Sequence, residues 1–265
     1  MNRLYHVSAL ILLMVVISTP SKTTAHEFRV ETEIVRQGET TPISNSLTLS
    51  ESGIIYDFLL AKPGSNSNIF ADEIAIYDTK EKKFILINVT RRIRTTVYDY
   101  QIARLLTALK SNGVIKDDFL VNPVFEESYD LSSNWLTLTS PRLTYRARGS
   151  KPQDGTRLPV FNVYLDQFSR LKATEPRGMP PFARLELNQA IKRYGFIPEE
   201  IHLTLSTGDD DESKTLQLTS RHNVLWQLSK QDREHIELAK KYWITFEEVD
   251  LNRYRNLNTT ANSKQ

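Results

Sequence analysis

The feature that most constrains the fold is a succession of short β-strand patterns between Phe28 and Val97. β-branched and aromatic residues alternate there with polar ones, and only a few polar residues separate each run from the next. Connections this short favour antiparallel neighbours, because a parallel pair needs a crossover of about a dozen residues or more. The pattern therefore predicts a meander with strands over 28–36, 44–50, 53–60, 72–77, 84–88 and 91–97.

Two of these runs indicate how the sheet is buried. Phe28, Val30, Thr32 and Ile34 share one face of the first strand, and charged residues occupy the other face. One side of this strand therefore faces water. The run over 53–60 is apolar on both sides, which predicts a strand that is central or covered on both faces.

The remainder of the chain combines helical and strand patterns. Apolar residues spaced i, i+3, i+4, i+7 from Ile102 to Leu109 predict a helix that starts near Asp99 and ends before Gly113. Strand patterns resume over 123–127, 135–140, 143–148, 201–206 and 215–228. Between them, an apolar stripe and a later segment from Pro180 to Gly195 predict two helices that interrupt the sheet.

The last two strands and the final helix carry local signals. A hairpin that places Ser206 opposite Thr215 buries its leucines and puts His222 on the same face as Ser220. Ser229 and Asp232 have the spacing of a capping box, which predicts the start of a C-terminal helix.

These elements predict an α+β fold. We expect a curved, mostly antiparallel sheet, an incomplete β-barrel, with helices packed on one side. We predict that residues 26–255 form a single domain with a helical insertion at about 159–195, and that residues 256–265 are a flexible polar tail.

The N-terminal 25 residues have the composition of a secretory signal peptide. A basic Arg3, an apolar stretch from Val7 to Ile17 and small residues before a cleavage point at Ala25 predict an exported protein, periplasmic or secreted. The apolar stretch is too short for a membrane span, so we expect no transmembrane segment after cleavage. Cleavage removes two of the 34 basic residues and none of the 32 acidic ones. A neutral mature chain gives no electrostatic reason to expect a nucleic acid partner.

The sequence contains no motif that fixes a catalytic activity. There is no cysteine, which excludes disulfides and thiol chemistry, and no phosphate-binding loop, dinucleotide fingerprint or zinc motif is present. Ser220 and His222 have the residue types of a nucleophile and its base, but no nucleophile elbow or orienting carboxylate accompanies them. We therefore predict no catalytic residues, no metal site and no cofactor.

Each of two charged clusters could be either a set of solvent-exposed side chains or a binding site for ions. The acidic run from Asp209 to Glu212 lacks the alternating ligands of a calcium loop, so it is interpreted as a hairpin tip. Six arginines would make an anion-binding surface only if their strands were neighbours; otherwise they line a wet sheet face. They are Arg91, Arg92, Arg94, Arg142, Arg146 and Arg148.

Aromatic residues in the predicted strands are the candidate ligand-binding groups. Phe58, Trp135, Tyr145 and Trp226 would line an apolar pocket if the curved sheet were incompletely covered by helices. The alternative is that these side chains belong to a filled core.

The order of elements resembles that of the periplasmic lipoprotein-carrier family of the lipoprotein-sorting pathway. The resemblance is carried by the runs 30–34, 47–49, 54–58, 84–87 and 91–97, and by the strand that ends at Tyr77-Asp78. It covers residues 28–148 and 199–228, and it is one of pattern rather than of motif. It implies an incomplete antiparallel barrel whose helices cover an apolar cavity that holds acyl chains, with the insertion as a lid. No ligand-contacting residue is carried over.

Three functions are compatible with the sequence. The first is a non-enzymatic binding or carrier protein for an apolar or amphiphilic, lipid-like ligand, such as a lipid or the acyl chains of a lipoprotein. The second is a cell-envelope scaffold or protein-interaction module with a filled sheet. The third, with least support, is a hydrolase that uses Ser220 and His222.

Overall fold

A computed structural model describes residues 27–61, 69–111, 118–175, 179–206 and 215–255 of the chain. It contains a single sheet with twelve strands in these ranges. The strands are β1 Phe28–Arg36, β2 Ser44–Glu51, β3 Ile54–Leu60, β4 Ala71–Asp78, β5 Lys83–Asn88, β6 Ile93–Tyr98, β7 Glu126–Asp130, β8 Trp135–Thr139, β9 Leu143–Ser150, β10 Ile197–Ser206, β11 Thr215–Leu225 and β12 Glu247–Glu248. The α-helices are α1 Asp99–Ser111, α2 Asp118–Val121, α3 Leu158–Leu171, α4 Phe182–Tyr194 and α5 Lys230–Thr245.

The sheet is curved and open, with β12 and β7 at its two edges. Strands β1 to β6 form the meander that the sequence predicts, and β1 also pairs with β11, which joins the meander to β10, β9, β8 and β7. The pairings are antiparallel except for that of β12 with β6. The predicted α+β fold, a curved and incompletely closed antiparallel sheet, is confirmed.

The concave face of the sheet carries the larger of two cores. Side chains from β1 and from β3 to β10 pack there against α1, α3 and α4. Helix α3 begins with Pro159 in its first turn, and α4 ends at Gly195, which has the left-handed φ of +68° that favours glycine. The two helices of the predicted insertion are therefore present and lie over the concave face.

The opposite, convex face of β2 to β5 carries a second core. Tyr56 and Phe58 pack there with Ile74 and Ile85, and α5 covers them through Ile236. The helices therefore lie on both faces rather than on one, because β3 to β5 are apolar on both sides.

The C-terminal hairpin has the register that its sequence predicts. Ser206 pairs with Thr215, and Leu203 pairs with Leu218. Ser229 and Asp232 form a reciprocal capping box at the start of α5. Local chemistry is sufficient at both places, because alternation sets a hairpin register and a cap needs only neighbouring residues.

Several strands begin or end at other residues than predicted, and proline or solvent exposure explains the differences at β7 and β10. β7 begins at Glu126 rather than Pro123, since proline cannot donate to the ladder and Val124 is exposed. β10 begins at Ile197 rather than Ile201 because Pro198 is accommodated at a β-bulge. β11 ends at Leu225 rather than Leu228, and the two-residue β12 was not predicted.

Candidate functional site

A cavity of about 480 Å³ lies between the concave face and helices α3 and α4. We call it the central cavity. Its volume falls within the range of roughly 300–1,000 Å³ found for small-molecule sites. Apolar side chains from three strands and from α3 make up much of its wall, among them Ile34, Leu59, Leu165, Phe168, Ile201 and Leu203.

Asp57 brings a carboxylate into this wall from the middle of an apolar strand. Alternation along β3 points it to the concave face, between Ile55 and Leu59. The Thr48 hydroxyl on β2 donates a hydrogen bond of 2.7 Å to its Oδ1. Burial raises the pKa of Asp57, although the Thr48 hydrogen bond opposes the shift. The half-buried carboxylate thus has a neutral hydroxyl as its hydrogen-bond partner.

Tyr164 adds a second polar group to the cavity wall, from helix α3. Its hydroxyl on α3 lies 3.3 Å from the Thr48 Oγ1, and Thr32 lies near enough to interact with it. Burial raises the pKa of Tyr164 to about 12, with the charge of Asp57 adding to the effect. The phenol therefore stays protonated at neutral pH and is available as a hydrogen-bond donor.

His222 lies between two hydroxyls on the same face. Its Nδ1 is 3.0 Å from the Thr32 Oγ1 and its Nε2 is 3.1 Å from the Ser220 Oγ. Burial, and secondly the charge of Arg184, lower the pKa of His222 to about 3. The imidazole is neutral at pH 7, so one ring nitrogen donates and the other accepts.

Arg184 projects into the central cavity from the first turn of α4. Its Nε donates to the Asn188 Oδ1 at 3.0 Å, and among the described residues no carboxylate forms an ion pair with it. Burial lowers the pKa of Arg184, and Tyr145, Tyr164 and Asp166 offset this only in part. Arg184 is thus a half-buried cation on the cavity wall without a paired anion among the described residues.

The other charged groups along the wall have partners. Glu73 accepts a hydrogen bond of 2.8 Å from the Tyr254 hydroxyl and lies 3.7 Å from Arg255. Lys172 pairs with Glu175 at 2.8 Å. These pairs leave Arg184 as the unmatched cation among the described residues that line the cavity.

Ser220 and His222 are as close as a nucleophile and its base would be, but the surroundings of His222 do not suit a general base. No carboxylate orients the imidazole, since the second ring nitrogen contacts the Thr32 hydroxyl. A general base works best with a pKa near the operating pH, whereas the pKa of His222 is about 3. The pair is better suited to hydrogen-bonding a bound molecule than to activating a hydroxyl.

The four aromatic residues singled out from the sequence are not brought together. Tyr145 lines the central cavity from β9 and is 3% exposed. Trp226 shares the concave face but packs on Phe28 and Phe161, with ring centroids 6.2 and 6.1 Å away. Trp226 thus supports the core beside the cavity.

The other two aromatics lie on the convex face. Phe58 packs against Phe70 beneath α5. Trp135 lies under the guanidinium groups of Arg146 and Arg148, which are 4.5 and 5.0 Å from its ring centroid. Phe58 and Trp135 were predicted to line a pocket because they are aromatic and lie in strands. Alternation along β3 and β8 places both on the face opposite the cavity.

Sequence reasoning missed the polar groups of the site, yet two signals were present. Asp57 is the single charged residue of β3, whose other side chains are apolar except for the Tyr56 hydroxyl. Arg184 precedes the buried Leu187, Asn188 and Ile191 of α4 at i+3, i+4 and i+7, which places it on the inward stripe. A charged residue in a buried pattern is a site signal that aromatic content does not give.

Two further clusters do not contribute to the site. The six arginines are not on neighbouring strands, because seven strands separate β6 from β9. The acidic run from Asp209 to Glu212 lies outside the described residues. Within the described ranges, no group of histidine and acidic side chains is arranged to hold a metal ion.

A larger groove of about 860 Å³ lies near the start of α5. Among its charged groups, Arg29 contacts Glu31 at 2.7 Å and Asp232 at 3.1 Å. Burial by itself would raise the pKa of Asp232, but hydrogen bonds from Ser229 and Arg29 outweigh it and lower the pKa. Arg29 is therefore already neutralised by carboxylates, unlike Arg184 in the central cavity.

The fold and its cavity define an open half-barrel that encloses a mixed apolar and polar space. No model of a known protein family matches the chain, and no similar curated protein was found. In the part of the chain that the structure describes, no helix has both the length and the apolar character needed to span a membrane.

Proposed function

We propose that this protein is an exported, non-enzymatic binding or carrier protein that holds one apolar or amphiphilic, lipid-like ligand in the central cavity. The observation that carries the proposal is the cavity of about 480 Å³ beneath α3 and α4. A well-packed core leaves few voids larger than a water molecule. The unfilled space therefore favours a ligand over a sheet whose interior serves only as a scaffold.

The lining supports a ligand with two kinds of surface. Leu165, Ile201 and Leu203 offer an apolar wall, while Tyr164 and Arg184 offer hydrogen-bond donors. Small-molecule sites typically combine a mostly apolar lining with a few converging polar groups. In this proposal α3 and α4 act as the cover of the cavity, and the signal-like N-terminal 25 residues support export to the periplasm or secretion.

Filling the cavity tests the proposal. Leu203→Trp adds a large side chain to the wall on β10, so we expect it to weaken binding of the neutral probe N-phenyl-1-naphthylamine at least tenfold, measured by fluorescence titration. Thr204→Trp is the matched control, because the next residue on the strand points to the opposite face. It should bind the probe like the unmodified chain.

The same titration has a clear negative result. If the unmodified chain does not bind the probe, or if Leu203→Trp binds it as tightly, the cavity is not a ligand site. Native mass spectrometry of gently extracted protein provides a second measurement, in which a bound lipid-like mass is expected.

A further inference from the structure

Among the charged residues that line the central cavity, Arg184 is a cation outside any ion pair with the described residues. Glu73 is matched by Arg255, and Lys172 by Glu175. Arg184 has no ion-pair partner among the described residues, and its terminal nitrogens donate no hydrogen bond to them. A guanidinium keeps its proton in proteins, so the half-buried Arg184 places a positive charge on the cavity wall.

Asp166 is an acidic group that interacts with Arg184, but it forms no ion pair with it. Asp166 accepts a hydrogen bond of 3.2 Å from Asn188 instead. Asp57 also lines the cavity and is hydrogen-bonded to Thr48 on the neighbouring strand, and it forms no ion pair with Arg184. Arg184 is therefore available to pair with an anionic group of a bound ligand.

The groups next to Arg184 are neutral hydrogen-bonding groups that suit such an anion. Tyr145 and Tyr164 both lie close enough to interact with its guanidinium, and so does His222. The Tyr145 hydroxyl makes no hydrogen bond to the described residues. A guanidinium presents its N–H groups as a fork that matches the two oxygens of a carboxylate or phosphate.

The rest of the wall sets the other half of the ligand. Leucine and isoleucine side chains of β10 and α3 continue from the polar cluster. About 480 Å³ is a volume for one drug-sized molecule, which suits one alkyl chain better than the several chains of a membrane lipid.

We infer that the central cavity binds a single-chain amphiphile whose anionic headgroup, a carboxylate or a phosphate monoester, pairs with Arg184 while its alkyl chain lies on the apolar wall. This inference rests on the proposed function and narrows its ligand class. Tyr145 and Tyr164 donate hydrogen bonds to the headgroup oxygens, and the neutral His222 does not add a second charge.

The test compares headgroups on one chain length. Dodecanoate, dodecyl phosphate, dodecanol and dodecyltrimethylammonium, each below its micelle concentration, displace N-phenyl-1-naphthylamine from the purified chain. We expect at least one of the two anions to bind about tenfold more tightly than dodecanol, and the cation to bind more weakly. The tighter of the two anions identifies the headgroup.

Substitution of Arg184 measures how much its positive charge contributes to binding of the anion. Arg184→Gln should reduce the affinity for the preferred anion about tenfold, the loss expected for one charged hydrogen-bonded contact, and leave dodecanol binding unchanged. Arg184→Lys should retain part of the preference. Lys192→Gln is the matched control, because it removes one positive charge from the exposed side of the same helix.

The outcomes separate this inference from the proposed function. Equal binding of dodecanol and both anions, or an anion preference that Arg184→Gln leaves intact, overturns the inference while the cavity remains a ligand site. If none of the probes binds the unmodified chain, the proposed function itself fails. The headgroup comparison on the unmodified chain decides the question even if Arg184→Gln does not fold.

Discussion

At the scale of single residues, the concave face holds polar groups at positions where an apolar core would be simpler. His222 is the best example, since it sits between two hydroxyls and has a pKa of about 3. Burying a polar group costs free energy unless its hydrogen bonds are restored. Both of its ring nitrogens have partners, so the imidazole is tolerated in neutral form.

His222 gives the molecule a defined pH dependence. Its pKa is lowered from 6.5 to about 3, so the unfolded chain takes up a proton as the pH falls below 6.5 while the folded chain does not. The stability contributed by the neutral ring is present above pH 6.5 and is lost as the pH falls towards 3. Between pH 7 and pH 5, we expect a loss of about 2 kcal/mol in the free energy of unfolding.

Urea unfolding at the two pH values measures this effect. His222→Gln retains hydrogen-bonding capacity but cannot titrate, so its loss over the same interval should be smaller by about 2 kcal/mol. Asp57 acts in the opposite direction in both proteins, because its raised pKa favours the folded state at low pH. Equal losses in the two proteins would show that His222 titrates normally.

At the scale of elements, the entry of the chain into β10 depends on a close approach to β9. Gly149 lies against the bulge at Pro198, and a Cβ at this position would be 1.8 Å from the Ile197 carbonyl oxygen. This contact is with backbone rather than with a flexible side chain. The strand pair that carries Tyr145 and Leu203 therefore requires glycine for space.

Gly149→Ala is expected to lower the free energy of unfolding by about 3 kcal/mol, because the backbone of one strand must move. Gly155→Ala is the matched control: its Cβ would meet nothing within 4 Å, so a change below about 0.5 kcal/mol is expected. Chemical denaturation of both variants provides the measurement. A Gly149→Ala protein as stable as the control would contradict the close packing.

At the scale of the whole molecule, the sheet separates two tasks between its faces. The convex core beneath α5 is filled by side chains such as Tyr56 and Phe58, each 1% exposed. The concave face combines a packed core with the central cavity. Stability and ligand binding are therefore expected to respond to substitutions on different faces.

Phe58→Leu tests this division. Loss of buried ring atoms should lower the free energy of unfolding by about 1–2 kcal/mol, while the affinity for N-phenyl-1-naphthylamine stays unchanged. Leu203→Trp, on the concave face, should instead weaken probe binding and leave the free energy of unfolding largely unchanged. A Phe58→Leu protein that loses probe affinity while remaining folded would mean that the two faces are coupled.

The sequence by itself determined the local elements of this protein. Alternation fixed the meander and the faces of β1 and β11, and helical spacing, proline and glycine located α3 and α4. The capping box placed the start of α5. These features depend on residues close in the chain, so a pattern of period 2 or 3.6 is enough to identify them.

Only the tertiary structure decided which residues share a space. The pairing of β1 with β11 joins segments nearly 200 residues apart, and it brings Thr32 beside His222. The same long-range packing put Phe58 and Trp135 on the convex face and turned Arg184 towards Tyr145. Periodicity assigns a residue to a face of its own element, but contacts between distant elements depend on how the whole sheet curves and which helices cover it.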